Sequence, residues 1–138
     1  MTDIRLPHDH GQHTEQKLAD MPGIDDFQIV ADIFKQMGDS SRVRIFWLLC
    51  HCEECVINIS ALVQMSSSAV SHHLKQLRAA RLIISRREGK EVYYKAADTP
   101  QARLLHHMIE DLVEIACPGK PGAAAASDRR AERKNGTK

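Results

Sequence analysis

Three of the four cysteines of this chain lie within nine residues, in the stretch LLCHCEECV at positions 48–56. Thiolates at this spacing suit a soft metal ion in tetrahedral or trigonal coordination, and the same thiols can instead form a disulfide or persulfide bridge. Cys50 continues the apolar run FWLLC, so a buried structural role fits it at least as well. Cys52 and Cys55 lie in a polar connection and are the predicted metal ligands, while all four thiols, Cys117 included, remain a redox alternative.

Histidine and carboxylate side chains supply further candidate ligands in two places. His8 and His10 lie in a polar N-terminal arm, which could complete a site of two cysteines and two histidines or remain a flexible arm that binds metals weakly. His106 and Glu110 are four residues apart in a predicted helix, so they share a face and are near enough to share an ion. Such a pair is more often a surface ion pair, and the sequence leaves the choice between these sites open.

The composition fits a small domain with a local excess of positive charge. The 138 residues, with a net charge of +1, are enough for one core, and no apolar run has the length of a membrane span. The polar N-terminus has no signal-peptide pattern, so we expect a cytoplasmic protein, away from membranes, whose thiols stay reduced. Residues 66–95 contain seven basic and two acidic residues, which is the charge expected where a polyanion binds.

Apolar periodicity and capping residues predict five helices and one hairpin. The helices are expected over residues 25–37, from Asp39 or Ser40 to about Cys50, over a short segment capped by Asn58, over residues 67–80 after the cap Ser66, and from Thr99 to about Cys117. Residues 82–87 and 91–96 are expected to form a β-hairpin. The order α-α-α-α-β-β-α predicts a mainly helical winged helix-turn-helix with a two-stranded hairpin as its wing.

The same pattern divides the chain into three parts. Residues 1–22 are expected to form a flexible arm that contains histidines, and residues 118–138 a disordered basic tail. Residues 23–117 are expected to form the winged helix-turn-helix domain, with dimerisation helices at both ends. Because the first and last helices have apolar faces wider than a small core can cover, we predict a homodimer.

The second helix of the helix-turn-helix and the hairpin tip carry the predicted contacts to double-stranded DNA. Small hydroxyl side chains at the start of such a helix can bond to base edges or phosphates, and basic side chains further along meet phosphates. The predicted DNA-binding residues are Ser66, Ser67, Ser68, Ser71, His72, Lys75 and Arg78 on the helix, with Arg86, Arg87 and Lys90 in the wing.

Three segments, VADIFKQMGDSSRVRIFWLL, SSSAVSHHLKQLRAARLI and SRREGKEVYY, resemble the ArsR/SmtB family of small dimeric metal-sensing repressors. The resemblance covers about residues 25–117. It implies a repressor that binds its operator without metal and leaves it when an inducer ion such as Zn(II) or Cd(II) binds, with no organic cofactor. It also implies that Ser67, Ser68, Ser71 and His72 contact the operator, although members often have glutamine at the position of Ser67.

Two other functions compete with metal sensing. A thiol-based redox or persulfide sensor would use the same scaffold and the cysteines named above. A cysteine-dependent enzyme is the remote alternative: His51 is adjacent to the thiols in sequence, but chain neighbours rarely point together, and no oxyanion or substrate-binding motif is present. We therefore expect the chain not to be an enzyme.

Overall fold

The computed structural model describes residues 4–117 and Gly119, so the predicted disordered tail lies almost wholly outside the described residues. The helices and strands follow the predicted order, with one strand added. They are α1 (Ile24–Gln36), α2 (Ser40–His51), β1 (Glu54–Cys55), α3 (Val56–Val63), α4 (Ser67–Ala79), β2 (Ile83–Glu88), β3 (Glu91–Ala96) and α5 (Pro100–Ala116). In the N-terminal arm, a short 3-10 helix spans Thr14–Ala19, which the sequence did not predict.

Side-chain caps start three of the helices where the sequence predicted them. Asp39 accepts a hydrogen bond from the backbone N–H of Arg42 at 3.0 Å, which starts α2. Ser66 and Thr99 cap α4 and α5 in the same way, each through its side-chain oxygen at 3.2 Å. Pro100 occupies the first turn of α5, where its missing N–H costs no helical hydrogen bond. These local bonds satisfy backbone donors that a helix start leaves without partners.

The predicted cap at Asn58 is wrong. Helix α3 begins at Val56, three residues before the start that a cap at Asn58 predicts, and Cys55 takes the cap position. Cys55 is held in an extended conformation because it pairs with Tyr93 in the sheet, so the chain turns into the helix immediately after the strand. Asn58 therefore lies inside the first turn, where its side-chain amide donates to the Glu54 carboxylate at 2.7 Å instead of capping the backbone.

The sheet has three antiparallel strands in the order β1-β3-β2, so the predicted two-stranded wing gains a third strand at its base. Glu88 pairs with Glu91 across a two-residue turn, and Gly89 in that turn has a φ of 62°, a conformation that glycine adopts at little cost. Strand β1 has only two residues, too few to show the alternation that identifies strands in a sequence. Its pairing ties the cysteine segment to the wing.

The core lies between α2, α3, α4, the start of α5 and the base of the hairpin. Its largest fully buried side chains are Phe46, Ile45, Ile59, Leu74, Leu77, Leu82, Ile83 and Val70. Helix α1 has no buried residue, and α5 has only Ala102 and Leu105. The two terminal helices therefore expose apolar faces, formed by Ile24, Phe27, Ile29, Val30 and Phe34 in α1 and by Leu104, Leu112, Val113 and Ile115 in α5.

These exposed faces lie on the two helices predicted to form a dimer interface. Large exposed apolar patches on a soluble protein usually mark an interaction surface, which agrees with the predicted dimer. Among the described residues, no helix is both long enough and apolar enough to span a membrane.

Candidate nucleic-acid interface and metal site

Helices α3 and α4 and the tight turn between them form the helix-turn-helix. Gln64 ends α3 in the left-handed conformation, with a φ of 56°, and Ser66 then starts α4. From α2, the Arg44 guanidinium donates to the Val63 carbonyl at 3.0 Å, which fixes the end of α3. Helix α4 buries Val70, Leu74 and Leu77 in the core, so its opposite face is presented to solvent.

The outer face of α4 has the polar composition predicted for a DNA-recognition helix. All the predicted contact residues on it are exposed: Ser66, Ser67, Ser68, Ser71, His72, Lys75 and Arg78. Three serine hydroxyls at the start of α4 already have partners. The Ser66 side-chain oxygen accepts the capping bond from Ala69 and lies 3.3 Å from the Ser68 hydroxyl, and the Ser67 hydroxyl accepts a hydrogen bond from Ser60 at 3.3 Å. Ser71 and His72, one turn further on, are more available to a ligand.

The wing residues divide into one anchored arginine and two freely exposed basic side chains. Arg86 pairs with Glu53 at 2.7 Å and with Glu88 at 2.6 Å, and its guanidinium lies 4.8 Å from the centre of the Tyr93 ring. The Arg86 hydrogen bond also lowers the pKa of the Glu53 carboxyl. Arg86 thus joins the wing to the α2–β1 connection, whereas Arg87 and Lys90 extend from the tip of the hairpin.

The cysteine segment does not form a ready thiolate site. Cys50 packs against the core, and burial, together with the nearby Glu110 carboxylate, raises the pKa of its thiol to about 12. The Cys52 thiol donates to the Leu48 carbonyl at 3.3 Å, and burial, followed by the charge of Glu54, raises its pKa. No cysteine is in a disulfide among the described residues, and Cys117, just after α5, is exposed.

The N-terminal arm does not complete the cysteine site in the single chain. His8 and His10 are exposed, and their rings lie parallel with centroids 6.1 Å apart. Within the part of the chain that the structure describes, neither these histidines nor Cys52 and Cys55 belong to a group of three potential ligands whose donor atoms lie within 4.8 Å of one another. The arm and the cysteines therefore stay separate predicted ligands.

One group of three potential ligands does come together, at the contact between α2 and α5. His106 Nε2 lies 3.1 Å from Glu110 Oε1 and 3.2 Å from His51 Nε2. His51 Nε2 in turn lies 3.5 Å from Glu110 Oε1. Burial, and next the neighbouring His51, lower the pKa of His106, which favours its neutral, ligating form.

The sequence indicated His106 and Glu110 but missed His51 as a ligand. His51 lies 55 residues before His106, so no spacing rule relates the two. Only the packing of the end of α2 against the middle of α5 brings them together. The four-residue spacing of His106 and Glu110, in contrast, follows from the helix itself.

The helix-turn-helix, the exposed polar face of α4 and the basic hairpin define a winged helix-turn-helix DNA-binding protein. Residues 39–85 match the family described as bacterial regulatory protein, arsR family. The chain is 35% identical over 105 residues to a transcriptional repressor SmtB homolog of Synechocystis sp., across 76% of this chain and 80% of that protein. The chain belongs to the arsR family of bacterial transcriptional regulators, as the sequence resemblance predicted.

A second relative and a solved structure agree with this assignment. A cadmium resistance transcriptional regulatory protein CadC homolog of Staphylococcus aureus is 33% identical over 91 residues, across 65% of this chain and 75% of that protein. The solution structure of a homodimeric winged helix-turn-helix domain of Mycobacterium bovis, a possible ArsR-family regulator, has a TM-score of 0.58 at 28% identity. That match covers 67% of this chain and 92% of the domain. Since these proteins are DNA-binding regulators, the prediction that the chain is not an enzyme is confirmed.

Proposed function

We propose that the chain represses transcription as a cytoplasmic homodimer on double-stranded operator DNA, and that binding of a metal ion such as Zn(II) or Cd(II) releases it. The observation that carries the proposal is the exposed N-terminal half of α4, where Ser71 and His72 face solvent. The names of the relatives, an SmtB repressor homolog and a cadmium resistance regulator, support repression and a metal inducer.

The exposed apolar faces of α1 and α5 support the homodimer. A twofold dimer presents two copies of α4, and two half-sites on one face of a duplex add affinity and fix the binding register. The Mycobacterium bovis neighbour is homodimeric, which supports the same assembly for this chain. Release would then follow if the bound ion stabilises an arrangement in which the two α4 helices are wrongly spaced.

The redox alternative has less support at two of its four thiols, Cys50 and Cys52. Oxidation proceeds through the thiolate, and the pKa of Cys50 and that of Cys52 are both raised, so these thiols remain mostly protonated at neutral pH. A thiol sensor needs the opposite, an accessible thiol with a lowered pKa.

Duplex affinity as a function of salt and metal tests the proposal. A duplex is selected from a random pool by the full chain, and its affinity is followed by fluorescence anisotropy. We expect the logarithm of the affinity to fall linearly with the logarithm of the salt concentration, by about 0.9 per phosphate contacted. We expect Zn(II) or Cd(II) to weaken binding by about 5–150-fold, the usual range of such coupling.

Two results would count against the proposal. An affinity that does not change with salt, or no duplex selected at all, would contradict DNA binding through α4 and the wing. A second contrary result is a DNA affinity that metal leaves unchanged but mild oxidation lowers, with recovery on adding a reductant. That result would show that the inducing signal is thiol oxidation and not a metal ion.

A further inference from the structure

We propose that His51, His106 and Glu110 form a site for a divalent transition metal ion that joins the end of α2 to the middle of α5. Zn(II), Co(II) and Ni(II) fit it best, because imidazole and carboxylate donors prefer these ions to softer ones. The inference that this ion is the inducer rests on the function proposed above, whereas metal binding at the site does not.

The geometry of the three donor atoms carries the proposal. The three distances between them are 3.1, 3.2 and 3.5 Å. An ion at roughly 2.0–2.1 Å from each ligand in a tetrahedral site separates any two ligand atoms by about 3.4 Å. The nitrogen and oxygen atoms therefore already have the spacing of three corners of a metal tetrahedron.

The surroundings suit an exchangeable ion. The side chains of His106 and Glu110 are 25% and 20% exposed, and that of His51 is 36% exposed. Two ligands are thus partly shielded from water, and the third lies at the surface where an ion can enter. The fourth tetrahedral position is left for water, which is common at sites with three protein ligands.

The site also lies where an ion could affect DNA binding. Helix α2 carries His51 at its last position, packs against α4, and holds the end of α3 through the Arg44 hydrogen bond to Val63. Helix α5 carries the exposed apolar face proposed for the dimer. An ion between α2 and α5 would therefore fix the helix-turn-helix relative to the dimer interface, and so fix the spacing of the two α4 helices.

Trp47 provides a direct readout, because it is the only tryptophan of the chain and its ring centroid lies 4.2 Å from that of His51. The full chain is titrated with Co(II) under reducing conditions, and binding is followed by the visible absorption of Co(II) and by quenching of Trp47 fluorescence. We expect one tightly bound Co(II) per chain, with absorption and quenching saturating together.

The variants locate the ion. His51→Ala and, separately, Glu110→Gln should each weaken Co(II) binding by at least about 10-fold. The matched control is His107→Ala, which removes the neighbouring imidazole of α5 and should bind Co(II) like the wild type. A His8→Ala, His10→Ala variant and a Cys52→Ser, Cys55→Ser variant should also bind normally. Circular dichroism confirms that each variant is folded.

The outcomes separate this inference from the proposed function. If both His51→Ala and Glu110→Gln bind Co(II) as tightly as the wild type does, the proposed metal site is wrong. The three side chains would then form only a hydrogen-bonded cluster. If Zn(II) releases the selected duplex equally from the wild type and from His51→Ala, the ion at this site is not the inducer. The proposed function as a metal-released repressor would be unaffected by that result. Loss of Zn(II)-dependent release in His51→Ala, with metal-free DNA affinity unchanged, would support both.

Discussion

Serine hydroxyls at the start of α4 have different roles although they are adjacent in sequence. Ser66 caps the helix and Ser67 is bonded to Ser60, so both help to hold the helix-turn-helix together. Ser71 has no hydrogen-bond partner among the described residues and is exposed. We therefore assign stability to the first pair and DNA contact to Ser71 and its neighbour His72.

Alanine substitutions test this division of roles. Ser66→Ala should lower the free energy of unfolding by about 1 kcal/mol, because it removes the cap. Ser71→Ala should change the free energy of unfolding by less than about 0.5 kcal/mol, as expected for an exposed position. It should instead weaken duplex binding, by about 1 kcal/mol for one hydrogen bond.

Urea unfolding and fluorescence anisotropy measure the two effects on the same protein samples. The assignment would be refuted if Ser71→Ala destabilised the fold as much as Ser66→Ala does while leaving the DNA affinity unchanged.

Cysteine reactivity should follow burial and pKa at the level of single residues. Cys50 is half-buried, and burial raises the pKa of its thiol to about 12, so very little thiolate forms at neutral pH. Cys117 is exposed at the end of α5. We expect iodoacetamide at neutral pH to alkylate Cys117 well before Cys50.

Mass spectrometry of tryptic peptides over a time course gives the two rates. Equal rates would show that Cys50 is accessible and ionised, which would revive the thiol-sensing alternative.

At the scale of elements, the contribution of the wing to DNA binding depends on which of its basic side chains already form ion pairs within the protein. Two carboxylates neutralise Arg86, while Arg87 and Lys90 form no ion pair with any residue in the described part of the chain. Arg87→Ala should therefore reduce the slope of log affinity against log salt by about 1, the value for one lost phosphate contact.

Arg103→Ala is the matched control for charge, because Arg103 pairs with Asp98 at the start of α5, away from the hairpin tip. Its salt slope should equal that of the wild type. An unchanged slope in Arg87→Ala would remove this wing residue from the DNA interface.

The elements also show what the sequence could and could not predict. Caps at Asp39, Ser66 and Thr99 are local bonds over three residues, so the helix starts could be inferred from the sequence. Strand β1 could not be, because its two residues become a strand only by pairing with β3. The error at Asn58 has the same cause, since that pairing sets the start of α3.

The candidate sites also differ in whether local sequence patterns or long-range packing determine them. The polar face of α4 follows from helical periodicity, and the structure places every predicted α4 contact on the exposed side. The His51 ligand depends on how α2 packs against α5, which no local pattern specifies. The predicted pairing of the arm with Cys52 and Cys55 depends on a contact of the same long-range kind.

At the scale of the whole molecule, assembly should depend on the apolar face of α5. Ile115 is 70% exposed in the single chain, and Ile57 in α3 is 73% exposed. Ile115→Glu should shift the protein to a monomer, because a buried carboxylate in an apolar interface is costly. Ile57→Glu is the matched control: it makes the same substitution at an equally exposed isoleucine on a helix not proposed for the dimer. It should leave the dimer intact.

Light scattering after size exclusion measures the mass of each variant. A wild-type monomer, or a dimer that survives Ile115→Glu, would contradict dimerisation through this face. Loss of DNA affinity in Ile115→Glu is expected to accompany the loss of the dimer, because each half-site then binds alone.

The most direct test of the central claim is the NMR map of backbone amide shifts when the selected duplex is added to the full chain. The account predicts the largest shifts at Ser71 and His72 in α4 and at Arg87 and Lys90 in the wing, with α5 little changed. Shifts concentrated in the N-terminal arm or in α5, with α4 and the wing unaffected, would contradict it.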